Sequence, residues 1–164
     1  DDPAATVLRL AARQCRRLER AVDDLPPDPT DEQLHEIRLL AKRARYACEV
    51  AARHADPEVK RLVRRLGALQ DRLGDHQDAA TAQRWLADAA VGLADRDEVF
   101  VLGEVAGLCL DDQRAARRDW PHLWERVGAV SIAGQSPGTS NTSKSRTEPS
   151  RDPSASGAVR ANDE

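Results

Sequence analysis

The chain has 164 residues, with 25 Lys and Arg against 28 Asp and Glu, and this net charge of −3 excludes a uniformly basic protein that coats nucleic acid. It has 27 alanines but one Phe, one Tyr and three Trp, and this composition predicts an all-α protein because strands favour β-branched and aromatic residues. No apolar run approaches the ~18 residues that indicate a membrane span, so no membrane partner is expected.

Start and stop signals predict six helices in an antiparallel bundle, at 4–24, 31–54, 57–73, 76–93, 96–118 and 121–128. The start signals are N-cap residues at Asp2, Thr30, Asp56, Asp75 and Asp95. Pro3 and Pro57 follow two of these caps, and Gln33 completes a capping box with Thr30. The predicted breaks are Gly74, which suits a left-handed helix end, and Pro121.

The composition changes near residue 130. From residue 131 to 164, 19 of 34 residues are Ser, Thr, Gly, Pro or Asn, which bury too little apolar surface to offset chain entropy. We therefore predict a helical bundle over 1–128 and a disordered tail over 129–164.

The helix predicted at 96–118 is apolar on most sides, including Phe100 and Leu108. Such a helix is usually central, so we expect it to be buried in the bundle. His76 is expected in a turn after Gly74, and His122 is expected to pack beside two tryptophans.

The three cysteines, Cys15, Cys48 and Cys109, are odd in number and widely spaced, and each lies among apolar positions. This pattern predicts buried free thiols and a reducing, cytoplasmic location. The histidines lack metal-ligand spacing, and no phosphate loop or nucleophile elbow occurs, so no cofactor, metal site or catalytic residue is predicted.

Basic residues instead line one face of three consecutive helices, whose net charges are +4, +3 and +3. These residues are Arg9, Arg13, Arg16 and Arg20 on the first helix, His35, Arg38, Lys42 and Arg45 on the second, and Lys60 and Arg64 on the third. Aligned cations repel each other by a few tenths of a kcal/mol per pair, so unalternated stripes indicate a polyanionic ligand. The alternative interpretation is an ordinary solvated face, since charge patterning is a weak signal.

The second and third helices resemble the signatures of the CHAD domain, the conserved-histidine α-helical family. The segment LHEIRLLAKRARYACEV (34–50) has the His, Arg and Lys-Arg-x-Arg-Tyr pattern, at His35, Arg38, Lys42, Arg43, Arg45 and Tyr46. The segment LGALQDRLGDHQDAATAQRWL (66–86) is similar to a second hallmark, Leu-Gln-Asp-x-Leu-Gly followed by an Asp. The resemblance covers about residues 7–127.

The resemblance implies a non-enzymatic helical module that binds inorganic polyphosphate in a basic cavity and can associate with polyphosphate granules. His35, Arg38, Lys42 and Arg45 match the family positions, whereas the basic residues on the first and third helices match by pattern alone. Many family members are fused to a CYTH-type triphosphatase domain. The chain resembles about half of a full domain, the C-terminal half. Three interpretations stay open: the other half has been cut away, the protein is degenerate, or two copies pair as a homodimer to rebuild the cavity.

Two alternatives remain open at this point. The same stripes would attract nucleic acid, although Tyr46 alone could stack on bases. The chain could also be a non-catalytic interaction scaffold beside a CYTH-type triphosphatase.

Overall fold

A computed structural model describes residues 2–52 and 57–128, which fold into four α-helices. They are α1 (Pro3–Asp23), α2 (Asp31–Ala51), α3 (Pro57–Ala90) and α4 (Arg96–Gly128). No strand occurs within these two ranges, and the predicted all-α class is confirmed for them. The predicted tail, 129–164, and the predicted cap at Asp56 lie outside the described residues.

Three helices begin at the predicted caps. The Asp2 carboxylate accepts a hydrogen bond from the Ala4 amide at 3.0 Å, and Pro3 is the first helical residue. Thr30 and Gln33 form both bonds of the capping box, at 2.8 and 3.3 Å. Asp95 accepts from the Asp97 amide at 2.9 Å, at the start of α4. Each such cap stabilises its helix by about 1 kcal/mol.

The predicted break at Gly74 is wrong, because α3 continues through this residue as one helix of 34 residues. Gly74 is buried and Asp75 caps nothing. A Cβ at Gly74 would lie 3.4 Å from the Nε of Arg38 on α2. The glycine therefore gives an arginine room to pass, and it does not end the helix.

The predicted break at Pro121 is also wrong, since α4 runs through it to Gly128. A proline inside a helix costs about 3 kcal/mol. The neighbouring side chains of Trp120, Leu123 and Trp124 pack against the core and offset that cost. His122, expected to pack with the tryptophans, is exposed and lies 3.6 Å from the Glu125 carboxylate.

The helices pack in chain order, with α1 against α2, α2 against α3 and α3 against α4. The core lies between α1, α2 and α3, and its largest fully buried side chains include Leu18, Leu34, Ile37, Leu66, Leu69 and Leu73. The three cysteines are free thiols, as predicted, but only Cys48 is buried, whereas Cys15 and Cys109 are half-buried. The Sγ atoms of Cys15 and Cys48 are 3.7 Å apart.

The predicted central position of the helix at 96–118 is wrong. Residues 85–112 are all described, and among them Leu86 is the one buried residue. Phe100 is 66% exposed and Leu108 is 67% exposed. The reason is that α2 begins at Asp31, beside His76, so the helices beyond that level contact mainly each other. We call residues 85–112 the overhang.

A search of the described helices found none that is both long and apolar enough to cross a bilayer.

Candidate anion-binding site

The basic residues predicted on α2 lie beside the seam between α2 and α3. We call His35, Arg38, Lys42 and Arg45 the α2 stripe, which is about 15 Å long at 1.5 Å per residue. The side chains of two of its arginines lie beside glycines of α3: a Cβ at Gly74 would be 3.4 Å from the Nε of Arg38, and one at Gly67 would be 3.9 Å from the Cδ of Arg45. Both arginines are half-buried, whereas Lys42 between them is exposed. Contact with α3 therefore restricts where the two guanidinium groups can lie.

The middle of the α2 stripe has few competing carboxylates. Arg45 donates to Glu49 at 3.0 Å, an exposed pair of the kind that contributes at most ~1 kcal/mol. The Tyr46 ring centroid lies 5.9 Å from the Lys42 Nζ and 5.4 Å from the Arg45 Cζ. The Nε of Arg38 is buried and has no hydrogen-bond partner among the described residues. An anion could displace Glu49 at small cost.

The His35 end of the stripe has a different electrostatic character. His35 lines a cavity of about 220 Å³, and three of the other lining residues are carboxylates of α2 itself: Asp31, Glu32 and Glu36. Gln77 and Arg84 of α3 complete the lining. The negative charge of these carboxylates disfavours an anion beside His35. The part of the stripe that best suits an anion is therefore the part from Arg38 to Arg45.

The four arginines predicted on α1 form a separate surface. Arg9, Arg13, Arg16 and Arg20 are all exposed, on the side of α1 opposite the buried Ala11 and Leu18. Arg9 donates to the hydroxyl of Thr6 at 2.9 Å. The helix α1 packs against α2 through the face that carries Ala11 and Leu18, so its four arginines point away from the core. The structure therefore does not bring these arginines to the seam beside which the α2 stripe lies.

The two predicted residues of α3 are also divided. Lys60 and Arg64 are both exposed. Arg64 lines a groove between α3 and α4.

A polar network around one buried histidine, near the start of α2, was not predicted from the sequence. His76 is 1% exposed, and its Nε2 lies 3.3 Å from the Asp31 carboxylate. Arg117 and Gln113 of α4 donate to the same carboxylate at 2.7 and 3.0 Å. These residues come from three helices and are far apart in sequence, so no local pattern could have connected them.

Burial and charge set the protonation of this network. Burial lowers the pKa of His76, and the positive charge of Arg117 adds to that effect, although Asp31 opposes it. Burial alone would raise the pKa of Asp31, but the hydrogen bond from Arg117 and the charges of His76 and Arg117 hold it below its usual range. The network therefore joins a neutral imidazole to an ionised carboxylate at neutral pH.

Within 2–52 and 57–128, no three His, Cys, Asp or Glu side chains come together in a way that could hold a metal ion.

A comparison with protein families identifies the chain. The family model described as the CHAD domain matches residues 1–87. The chain belongs to the CHAD domain family. This CHAD match includes α1, α2 and most of α3, together with the whole α2 stripe, and CHAD domains are binding domains without catalysis of their own.

The CHAD match ends before α4, short of the 7–127 over which the motifs were expected to extend. Searches of curated proteins and of solved structures found no match to this CHAD chain.

Proposed function

We propose that the chain binds inorganic polyphosphate, with Arg38, Lys42 and Arg45 as the principal contacts. CHAD domains are associated with polyphosphate binding, and this stripe lies within the matched residues. Guanidinium groups bind phosphate oxygens in a bidentate manner, and an ammonium group acts as a point charge. Three cations along one edge would neutralise successive phosphates of a linear chain.

The packing of Arg38 and Arg45 against α3 is the observation that carries this proposal. Free arginine side chains lose much rotamer entropy when they bind a ligand. Here the side chains of both arginines already lie against α3, at Gly67 and Gly74. Less side-chain entropy therefore remains to be lost when a ligand binds. A merely solvated arginine face would have no need of such contacts.

Polyphosphate fits the α2 stripe better than nucleic acid does. Tyr46 is the aromatic residue beside the stripe, and Lys42 and Arg45 both lie near its ring. A base that stacked on this ring would have to displace those cations. A ligand of phosphates alone requires no such exchange.

The test is a calorimetric titration with long-chain polyphosphate, at low and at physiological salt. We expect the double variant Arg38→Ala, Lys42→Ala to bind at least about tenfold more weakly, because each lost charge-assisted contact contributes ~1.5 kcal/mol or more. Its affinity should also depend less on salt, by analogy with counterion release from DNA.

The matched control is Arg96→Ala, Arg114→Ala on α4, which removes the same charge from exposed positions outside the stripe. This control should bind as the unchanged chain does. Equal losses in the two double variants would mean that net charge alone governs binding, and the proposal would be wrong. Competition with RNA of matched phosphate number would test the nucleic-acid alternative.

A further inference from the structure

Four arginines line a groove between the first half of α3 and the last turns of α4. They are Arg61, Arg64, Arg65 and Arg126, and Ala68 and Leu123 complete the lining. The volume of the groove is about 290 Å³. At about 100° per residue, the arginines of α3 that line the groove lie between about 60° and 160° around the helix from Gly67, beside which Arg45 of the α2 stripe lies. The groove therefore opens towards α4, on a different face of α3 from the one that meets the α2 stripe.

The charge pattern along the seam between α3 and α4 changes at this groove. Arg72 of α3 meets Asp119 of α4, with its Nε 3.1 Å from the carboxylate. Seven residues earlier on α3 and seven residues later on α4, Arg65 meets Arg126. At this level α4 therefore presents a cation, where one level away it presents the Asp119 carboxylate. The seam thus pairs opposite charges at one level and places like charges together at the next.

Few described groups neutralise the arginines of this groove. Glu58 forms an ion pair with Arg61 at 2.7 Å. Arg65 donates to the backbone carbonyl oxygen of Arg126, which holds one edge of its guanidinium group in place. Arg61, Arg64 and Arg65 are three and four residues apart, a spacing at which like charges destabilise a helix. A bound anion would relieve this repulsion.

The shape and chemistry of the groove indicate which anion would fit. Several guanidinium groups that converge on one space bind phosphate oxygens through bidentate hydrogen bonds. The volume lies at the lower limit of ligand pockets, and the lining contains no aromatic residue, so a nucleoside is poorly accommodated.

We propose that the arginine groove is a second binding site, specific for a compact, multiply charged phosphate such as triphosphate. The ligand is either a free short phosphate or one segment of a longer chain, since both present the same linked phosphates. The site is separate from the α2 stripe, because no residue of α2 lines the groove.

The experiment is a calorimetric titration with inorganic triphosphate. The double variant Arg64→Ala, Arg126→Ala should bind about tenfold more weakly or worse, because two charge-assisted contacts are lost. Both side chains are exposed, so the fold should persist, which circular dichroism checks. Should this variant not fold, Arg64→Lys, Arg126→Lys keeps the charge, removes the guanidinium forks and should still weaken binding.

A control separates this site from a general effect of charge. Arg96→Ala, Arg114→Ala on α4 should leave triphosphate affinity within about twofold of that of the unchanged chain, since additive effects are small at distant sites. Triphosphate affinity that survives in Arg64→Ala, Arg126→Ala, or that falls equally in both of these double variants, would overturn the proposal. So would the absence of triphosphate binding to the unchanged chain.

A parallel titration with long-chain polyphosphate identifies the source of the ligand. If Arg64→Ala, Arg126→Ala weakens both ligands, the groove takes a segment of the chain. If it weakens triphosphate alone, the groove takes free short phosphates. Loss of long-chain binding in the α2 stripe variant concerns the proposed function and leaves the groove unaffected.

Discussion

At the scale of single residues, His76 is the buried polar side chain on which the junction of three helices depends. Its Nε2 faces the Asp31 carboxylate, with Gln113 and Arg117 on the other side. The same Nε2 is 3.3 Å from the Asp31 carboxylate and 3.5 Å from the Gln113 amide nitrogen. Protonation of the ring would put a second cation beside Arg117 in a site that water barely reaches.

The lowered pKa of His76 predicts a loss of stability in weak acid. The unfolded chain takes up a proton near the ordinary histidine pKa of about 6.5, whereas the folded chain resists it. The folded state then binds fewer protons, so its stability is complete above about pH 6.5 and decreases as the pH falls towards the folded pKa. Urea unfolding at a series of pH values from neutral to weakly acid measures this decrease.

His76→Gln is the control for this pH dependence, because a glutamine can still donate to Asp31 but does not titrate. It should be less stable than the unchanged chain at neutral pH and should lose less stability on acidification. An identical decrease in both proteins would show that another group is responsible.

At the scale of the helices, the continuity of α3 depends on Gly74 having ordinary helical geometry. The space beside it is occupied by the Arg38 guanidinium, at a distance that a single methyl group tolerates. Gly74 therefore serves the contact with α2, at the expense of helix propensity.

Gly74→Ala is predicted to increase the free energy of unfolding by about 0.5–1 kcal/mol, since alanine favours a helix and loses less entropy on folding. If Gly74 ended a helix in the left-handed conformation, the same change would destabilise the protein. Urea unfolding distinguishes the two.

A larger side chain at this position tests the contact itself. Gly74→Leu should displace the Arg38 guanidinium and weaken polyphosphate binding, whereas Gly74→Ala should leave binding nearly unchanged. Comparable binding by both variants would show that the position of Arg38 is unimportant.

Three of the predicted helix starts, at Asp2, Thr30 and Asp95, were confirmed, whereas the two predicted breaks within helices, at Gly74 and Pro121, were wrong. An N-cap such as Thr30 forms bonds within three residues of itself, so its signal is local. Gly74 and Pro121 weaken a helix only by amounts that packing against another helix can exceed, and that packing is not visible in a local pattern. Both residues lie where α3 and α4 continue alongside each other.

At the scale of the whole molecule, periodicity predicted which residues share the face of α2 but not what that face lies beside. The spacing of Arg38, Lys42 and Arg45 is enough to align them on a helix. Their contact with Gly67 and Gly74 depends on the register between two helices, which one sequence does not reveal. The same is true of the arginine groove, whose Arg126 is more than 60 residues from Arg64.

The overhang was mispredicted for a related reason. An apolar helix surface indicates burial only if another element is there to cover it. In the described chain, α2 begins near the level of His76, and residues 85–112 extend beyond it.

This arrangement divides the molecule into two regimes of amide hydrogen exchange. Residues 62–73 lie in the core and should exchange only when the whole domain unfolds. Residues 85–112 are supported mainly by each other and should exchange through local openings of much lower free energy. Native-state exchange followed by mass spectrometry would measure both, and equal opening free energies would contradict this division. The overhang would then be the first part to open, while the surfaces that carry the arginines stay folded.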